Sequence, residues 1–175
     1  MRIIRNNVFE TNSSSTHALT LNNFVKADTR KEILNLLNSE GKITIKVIEM
    51  YSESDYSVYS SFYDKLCFTV SLMISFMIYE KRLKVKGWHI SLTRNEIINH
   101  DSFKSLISVL SKRIKGFTGI RFARNTFDEN KVIWNPLDEH HLQGCKSFPE
   151  YLNKNHMTLE HLLFTPGVVY ALNVD

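Results

Sequence analysis

A long apolar segment near the middle of the chain constrains the fold more than any other feature. Residues 62 to about 83 are apolar on nearly every side of a helix, and the run CFTVSLMISFMIYE lies among them. A helix of this kind has to be covered by other elements. Its core, residues 68–79, is interrupted by Thr69, Ser71 and Ser75 and is shorter than the roughly 20 residues that cross a bilayer. We therefore expect a buried central helix and no membrane partner.

Shorter patterns predict the elements that cover this helix. Residues 42–50, KITIKVIEM, alternate β-branched and polar side chains as a strand does, and WHISL predicts a second short strand. GIRFA and KVIWN read as two strands joined by the polar turn RNTFDEN, and TPGVVYALNV reads as a closing strand. At the start of the chain, residues 2–5 and 18–21 predict a hairpin-like entry.

Capping residues place the shorter helices. A short helix is expected over residues 29–38, and Gly41 should stop it. Thr93 with Glu96 forms a capping box at the start of another helix. Asp101 or Ser102 should cap the next helix, which Gly116 should end, and Thr158 should cap a final short helix. Because strands and helices do not alternate in a βαβ rhythm, we expect a single α+β domain over residues 1–175, with a mixed or antiparallel sheet.

Charge and cysteine content indicate which partners and which cellular compartment fit the protein. Its 22 Lys and Arg against 18 Asp and Glu give a net charge of +4 and a pI near 9.0, a modest basic excess. Two cysteines do not make a disulfide framework. The opening MRIIRNN lacks the apolar core of a secretory signal, so we expect a cytoplasmic protein.

The stretch VFETNSSSTHAL is the most distinctive loop in the sequence. Its hydroxyls, preceded by Asn12, could hydrogen-bond a phosphate or a base edge, and His17 is a candidate acid or base. Those hydroxyls belong to Ser13, Ser14, Ser15 and Thr16. The loop has neither the glycines nor the lysine of a phosphate cradle, and Ser and Asn also close turns on their own backbone. A structural turn or a recognition loop is therefore preferred to a catalytic site.

Two tripeptides, His89-Ile90-Ser91 and His156-Met157-Thr158, resemble the paired His-x-Ser/Thr motifs of two-histidine phosphoesterases. That resemblance implies cleavage of a phosphodiester or nucleotide between His89 and His156. The first tripeptide lies on a predicted strand, but Thr158 reads as a helix cap.

A metal or cofactor site has little support in the sequence. DEHHLQGC gathers histidines, carboxylates and a thiol that zinc would accept, but their spacing matches none of the usual zinc patterns. A solvated loop is the simpler interpretation, and we expect neither a metal nor a cofactor.

A basic set interleaved with aromatic residues predicts contact with nucleic acid, because cations meet phosphates and rings stack on bases. The cations are Lys84, Lys86, Arg113, Lys115, Arg121 and Arg124, and the rings are Trp88, Phe117 and Phe122. The alternative is equally physical: lysines favour helix C-termini, and aromatic residues are usually core.

The string RNNVFETNSSSTHAL resembles the N-terminal signature of a group of small bacteriophage and mobile-element proteins, chiefly of Gram-positive bacteria. The resemblance covers residues 5 to about 21, with an echo in LLFTPGVVYAL. It implies no activity and no site residue. By analogy, it implies an accessory protein that inhibits host machinery, as anti-CRISPR and other anti-defence proteins do.

The expected function is accordingly a non-enzymatic inhibitor that binds a host protein or nucleoprotein complex. The alternatives are a phosphodiesterase of two-histidine type and a nucleic-acid-binding module. Contact would run through exposed loops and nearby cations. The loop candidates are residues 12–17 and residues 51–61, the latter presenting Tyr56 and Tyr59.

Overall fold

The computed structural model describes residues 15–20, 30–48, 57–85, 90–123, 127, 132–133, 142–165 and 168–173. These residues form helices and strands in mixed order. The helices are α1 (Arg30–Leu34), α2 (Phe62–Val85), α3 (Arg94–Asn99), α4 (Asp101–Arg113), α5 (Phe148–Lys154) and α6 (Leu159–Phe164). The strands are β1 (Ser15–Thr20), β2 (Lys42–Ile45), β3 (Ser57–Tyr59), β4 (Leu92–Thr93), β5 (Gly119–Phe122), β6 (Val132–Ile133) and β7 (Val168–Asn173).

Helix α2 is the buried central helix that the sequence predicted. Phe62 and all residues from 65 to 78 are buried, and α2 contacts elements from both halves of the chain: β2, β3, β4, β7, α4, α5 and α6. By its length and composition alone, α2 could cross a membrane. However, 83% of its apolar stretch of 18 residues is buried inside the protein. That burial is typical of a core helix.

The serines of α2 are accommodated in the core by hydrogen bonds to the preceding turn. Ser71 Oγ donates to the carbonyl of Cys67 at 2.8 Å, and Ser75 Oγ donates to that of Ser71 at 3.1 Å. Ser71 Oγ also accepts the Ile48 N–H at 2.7 Å. The residues that follow β2 are thus held against the central helix.

The strands form three small sheets, where the sequence predicted one mixed or antiparallel sheet. In the part of the chain that the structure describes, β1, β7 and β3 form an antiparallel sheet in that order, β4 pairs antiparallel with β6, and β2 pairs parallel with β5. The prediction that β5 and β6 are joined as neighbours by a turn was wrong. A parallel pair needs a long crossover, and α2, α3 and α4 supply it between β2 and β5.

The predicted N-caps of α3 and α6 are confirmed, whereas the helix predicted over residues 29–38 already ends at Leu34. Thr93 and Glu96 form the reciprocal capping box of α3, and Thr158 Oγ1 accepts the His161 N–H at the start of α6. The predicted cap of α4 was wrong. His100 is the N-cap residue, and its Nδ1 accepts the Ser102 N–H at 3.3 Å. His100 thus serves both as the C-cap of α3 and as the N-cap of α4.

Candidate functional site

The predicted Ser/Thr loop is shorter than the sequence indicated. Ser15, Thr16 and His17 belong to β1, with Ser15 opposite Asn173 and His17 opposite Ala171 of β7. Pairing with β7 directs their backbone groups into an antiparallel ladder, so the prediction that these three residues form a loop was wrong. Asn12, Ser13 and Ser14 lie outside the described residues.

The predicted tyrosine loop is also partly a strand. Residues 57–59 form β3, and the half-buried Tyr59 ring stacks on Phe68 of the central helix at 4.8 Å between centroids. Tyr59 is thus a packing residue, and its prediction as a freely exposed contact was wrong. Tyr56 lies outside the described residues.

His156 lies in a linker between two helices and not on a strand. It follows α5 with φ at +53°, its N–H donates to the carbonyl of Asn153, and the Met157 N–H donates to that of Leu152. This pair of bonds is a Schellman motif with His156 at the left-handed position. The conformation of His156 is thus explained by its position at the end of α5. His89 lies outside the described residues.

The interleaving of cations with rings is not observed at the two rings that the structure describes. Phe117 and Phe122 are only 8% and 7% exposed and belong to the core, so their prediction as stacking surfaces was wrong. Lys84, Arg113, Lys115 and Arg121 are exposed. Lys86, Trp88 and Arg124 lie outside the described residues. The described cations can therefore contact a partner through charge, without stacking by these rings.

One basic surface is the outward side of the β2/β5 pair. Ile43, Ile45 and Phe122 point into the core, so strand alternation turns Thr44 and Arg121 outward, and these two residues are register partners. We call the outward residues the basic strand face; they are Lys42, Thr44, Lys46 and Arg121. Lys42 and Lys46 are not among the cations predicted from the sequence, although the alternation in KITIK places them on one side of a strand.

Glu40 lies at the margin of the basic strand face. Its carboxylate accepts a hydrogen bond from Lys42 Nζ at 2.7 Å. That bond and the charge of Lys42 lower the pKa of Glu40, with a smaller contribution from Arg121. Glu40 therefore stays ionised and offsets part of the positive charge.

A second surface is the last turn of α2. Leu83 and Val85 are 54% and 60% exposed, and Lys84 between them is also exposed. We call these three residues the α2 tip. One turn earlier, Lys81 is already engaged by Glu96 and by the carbonyl of Ser91. The tip thus combines exposed aliphatic side chains with a cation.

A shallow groove of about 290 Å³ lies between the end of α4 and α6, and its polar groups are already used within the protein. Arg113 contacts Glu160 at 3.1 Å and lies 5.2 Å from the centre of the Phe164 ring. Thr165 Oγ1 lies 3.1 Å from His161 Nδ1. These contacts hold α4 and α6 together, so the groove is explained as the junction between the two helices.

Burial of the two cysteines favours their protonated thiols. Cys67 and Cys145 are both buried and free, and burial raises the pKa of each thiol above its ordinary value. Tyr63 is next to Cys67, and burial raises the pKa of its hydroxyl to about 12. A buried thiol held protonated is a poor nucleophile and a poor metal ligand. Among the described residues, no group of three His, Cys, Asp or Glu could hold a metal ion.

Comparison with known proteins assigns no family to the chain. No family model, no curated protein and no solved structure matches the chain. The sites must be interpreted from their own geometry.

Proposed function

We propose that this protein is a phage or mobile-element accessory protein, a single α+β domain that binds and inhibits a host protein or nucleoprotein complex without catalysing a reaction. The N-terminal signature motivates the origin. The observation that supports a binding role is the α2 tip, where Leu83 and Val85 are each more than half exposed.

The α2 tip has the composition of a small protein-binding surface. Leu83 and Val85 are two residues apart and lie on different sides of the helix, so a partner that encloses the end of α2 would remove both from water, at about 25 cal/mol per Å² of apolar area. Lys84 lies between the two aliphatic residues, so the fitting partner presents an apolar patch beside carboxylates. Apolar centres with polar rims are the usual anatomy of protein interfaces.

The test is affinity capture from a bacterial host lysate with three forms of the protein: wild type, Leu83→Ser/Val85→Ser, and Ile98→Ser. Ile98 is a matched control because it is also an exposed aliphatic residue, 41% accessible, on α3. We expect wild type and the control to retain one host complex, identified by mass spectrometry, that the tip variant loses. Exposed substitutions of this kind change folding stability by only about 0.5 kcal/mol, so all three forms should fold.

Nuclease treatment of the lysate separates the classes of partner. A complex retained after nuclease supports the proposal directly. A complex that the tip variant captures as well as wild type contradicts the role of the α2 tip, and loss of every partner after nuclease would assign the binding to nucleic acid.

A further inference from the structure

We propose that the basic strand face binds the phosphate backbone of a nucleic acid without reading its sequence. This inference concerns a different surface from the α2 tip and a different class of ligand. It does not depend on the host partner proposed above.

The spacing of the charges fits a regular polyanion. Lys42, Thr44 and Lys46 are alternate residues of one extended segment, so neighbouring members are separated by about 6.6 Å. Arg121 lies on the adjacent strand, across from Thr44 in the register, at roughly 4.8 Å between strands. A nucleic-acid backbone presents evenly spaced charges along its length, and a threonine hydroxyl can also donate to a phosphate oxygen.

The face lacks the apolar component that a protein partner would need. The large side chains of these strands, Ile43, Ile45 and Phe122, are 0%, 0% and 7% exposed. The outward positions carry charged or hydroxyl side chains, apart from Gly119 opposite Lys42. The centre of a protein interface is apolar and depleted of charge, whereas phosphate contacts dominate nucleic-acid binding. This contrast with the α2 tip favours nucleic acid over an acidic protein.

Among the residues that the structure describes, the face offers no ring for base recognition. Stacking on bases requires exposed rings; among the described rings near these strands, Phe117 and Phe122 are buried, and Tyr63 and Phe127 are partly buried and packed against the core. Contact through Lys42, Lys46 and Arg121 alone neutralises phosphates regardless of sequence. The expected binding is therefore weak, independent of sequence and strongly dependent on salt.

The test measures the affinity of the purified protein for a fluorescently labelled duplex DNA by anisotropy, from 50 to 200 mM salt. Three neutralised phosphates predict a log–log salt slope of about −2.7, which is a loss of affinity of roughly 40-fold over that range. Lys46→Gln/Arg121→Gln should reduce the slope to about −0.9. Lys104→Gln/Lys112→Gln removes the same charge from two exposed residues of α4 and should leave the slope near −2.7.

A third variant has the opposite expected sign. Glu40→Gln removes the carboxylate that competes with phosphate for Lys42, so it should tighten binding at each salt concentration while the slope stays near −2.7. Circular dichroism of each variant confirms that it is folded. Each of three results would overturn the proposal: no binding at 50 mM salt, equal loss with the control pair, or poly-glutamate binding as tightly as DNA. The last result would assign the face to an acidic protein.

Discussion

Replacement of Gly41 by alanine should destabilise the protein more than any ordinary surface change. Gly41 has φ at +73°, and an added Cβ would overlap the Gly116 carbonyl oxygen and lie 3.0 Å from Thr118 Cγ2. The left-handed backbone costs about 1–2 kcal/mol for a residue with a Cβ. The overlap is relieved only if the two segments separate. That movement strains the bond from the Thr118 N–H to the Gly41 carbonyl, 2.8 Å long, and a lost hydrogen bond costs about 0.5–1.5 kcal/mol.

We therefore expect Gly41→Ala to lower the free energy of unfolding by roughly 1.5–3.5 kcal/mol, the sum of the backbone and hydrogen-bond costs. Gly116→Ala is the matched control. Its φ is +84°, but the nearest atom to an added Cβ is Leu37 Cδ1 at 3.9 Å, so only the backbone cost of about 1–2 kcal/mol applies. Urea denaturation followed by far-UV circular dichroism measures both values. Equal destabilisation by the two variants would refute the close approach of the segments beside β2 and β5.

Three further predictions concern helix termini and one ionised residue. His100→Ala removes the acceptor for the Ser102 N–H and should lower the free energy of unfolding, measured in urea, by about 1 kcal/mol. His100→Asn should retain most of that stability, because asparagine is also a good N-cap residue. Equal free energies of unfolding for the two variants would show that the imidazole is not the cap. His156→Gly should raise the free energy of unfolding by about 1 kcal/mol, because glycine adopts the left-handed conformation without the Cβ penalty. A lower free energy of unfolding would contradict the left-handed φ of +53° at this residue. Burial raises the pKa of Glu96, but its hydrogen bonds, first that with Lys81, outweigh burial and bring the pKa below the ordinary 4.5. Its ionised form is therefore favoured by folding, so its contribution is complete above about pH 4.5 and is lost as the pH falls through the lower folded pKa. Glu96→Gln keeps the capping box, and the stability difference from wild type should shrink in acid; a difference independent of pH would argue against the ion pair.

The features that the sequence predicted well depend on nearby residues. Helix α2 is apolar on nearly all faces, so its burial follows from its composition. The caps at Thr93 and Thr158 follow from side chains that reach a backbone N–H three residues away. The closing strand β7 begins with Val168, Val169 and Tyr170, which are β-branched and aromatic residues that are enriched in strands.

Apart from the local error at the cap of α4, the errors concern choices between distant partners. Nothing local in GIRFA states that β5 pairs with β2 in parallel and not with the next strand, because a ladder forms with whichever strand the packing of α2, α3 and α4 brings alongside. The same packing decides that Phe117 and Phe122 face inward and that Ser15, Thr16 and His17 pair with β7.

The candidate surfaces illustrate the same division. Alternation in KITIK is enough to place Lys42, Thr44 and Lys46 on one side of a strand. That Arg121 lies opposite Thr44 is a property of the register between segments almost eighty residues apart. Local sequence determines which side of an element a residue occupies, because periodicity is built into the backbone. Only tertiary structure decides which residues from distant segments share a surface, because that depends on how the buried faces pack together.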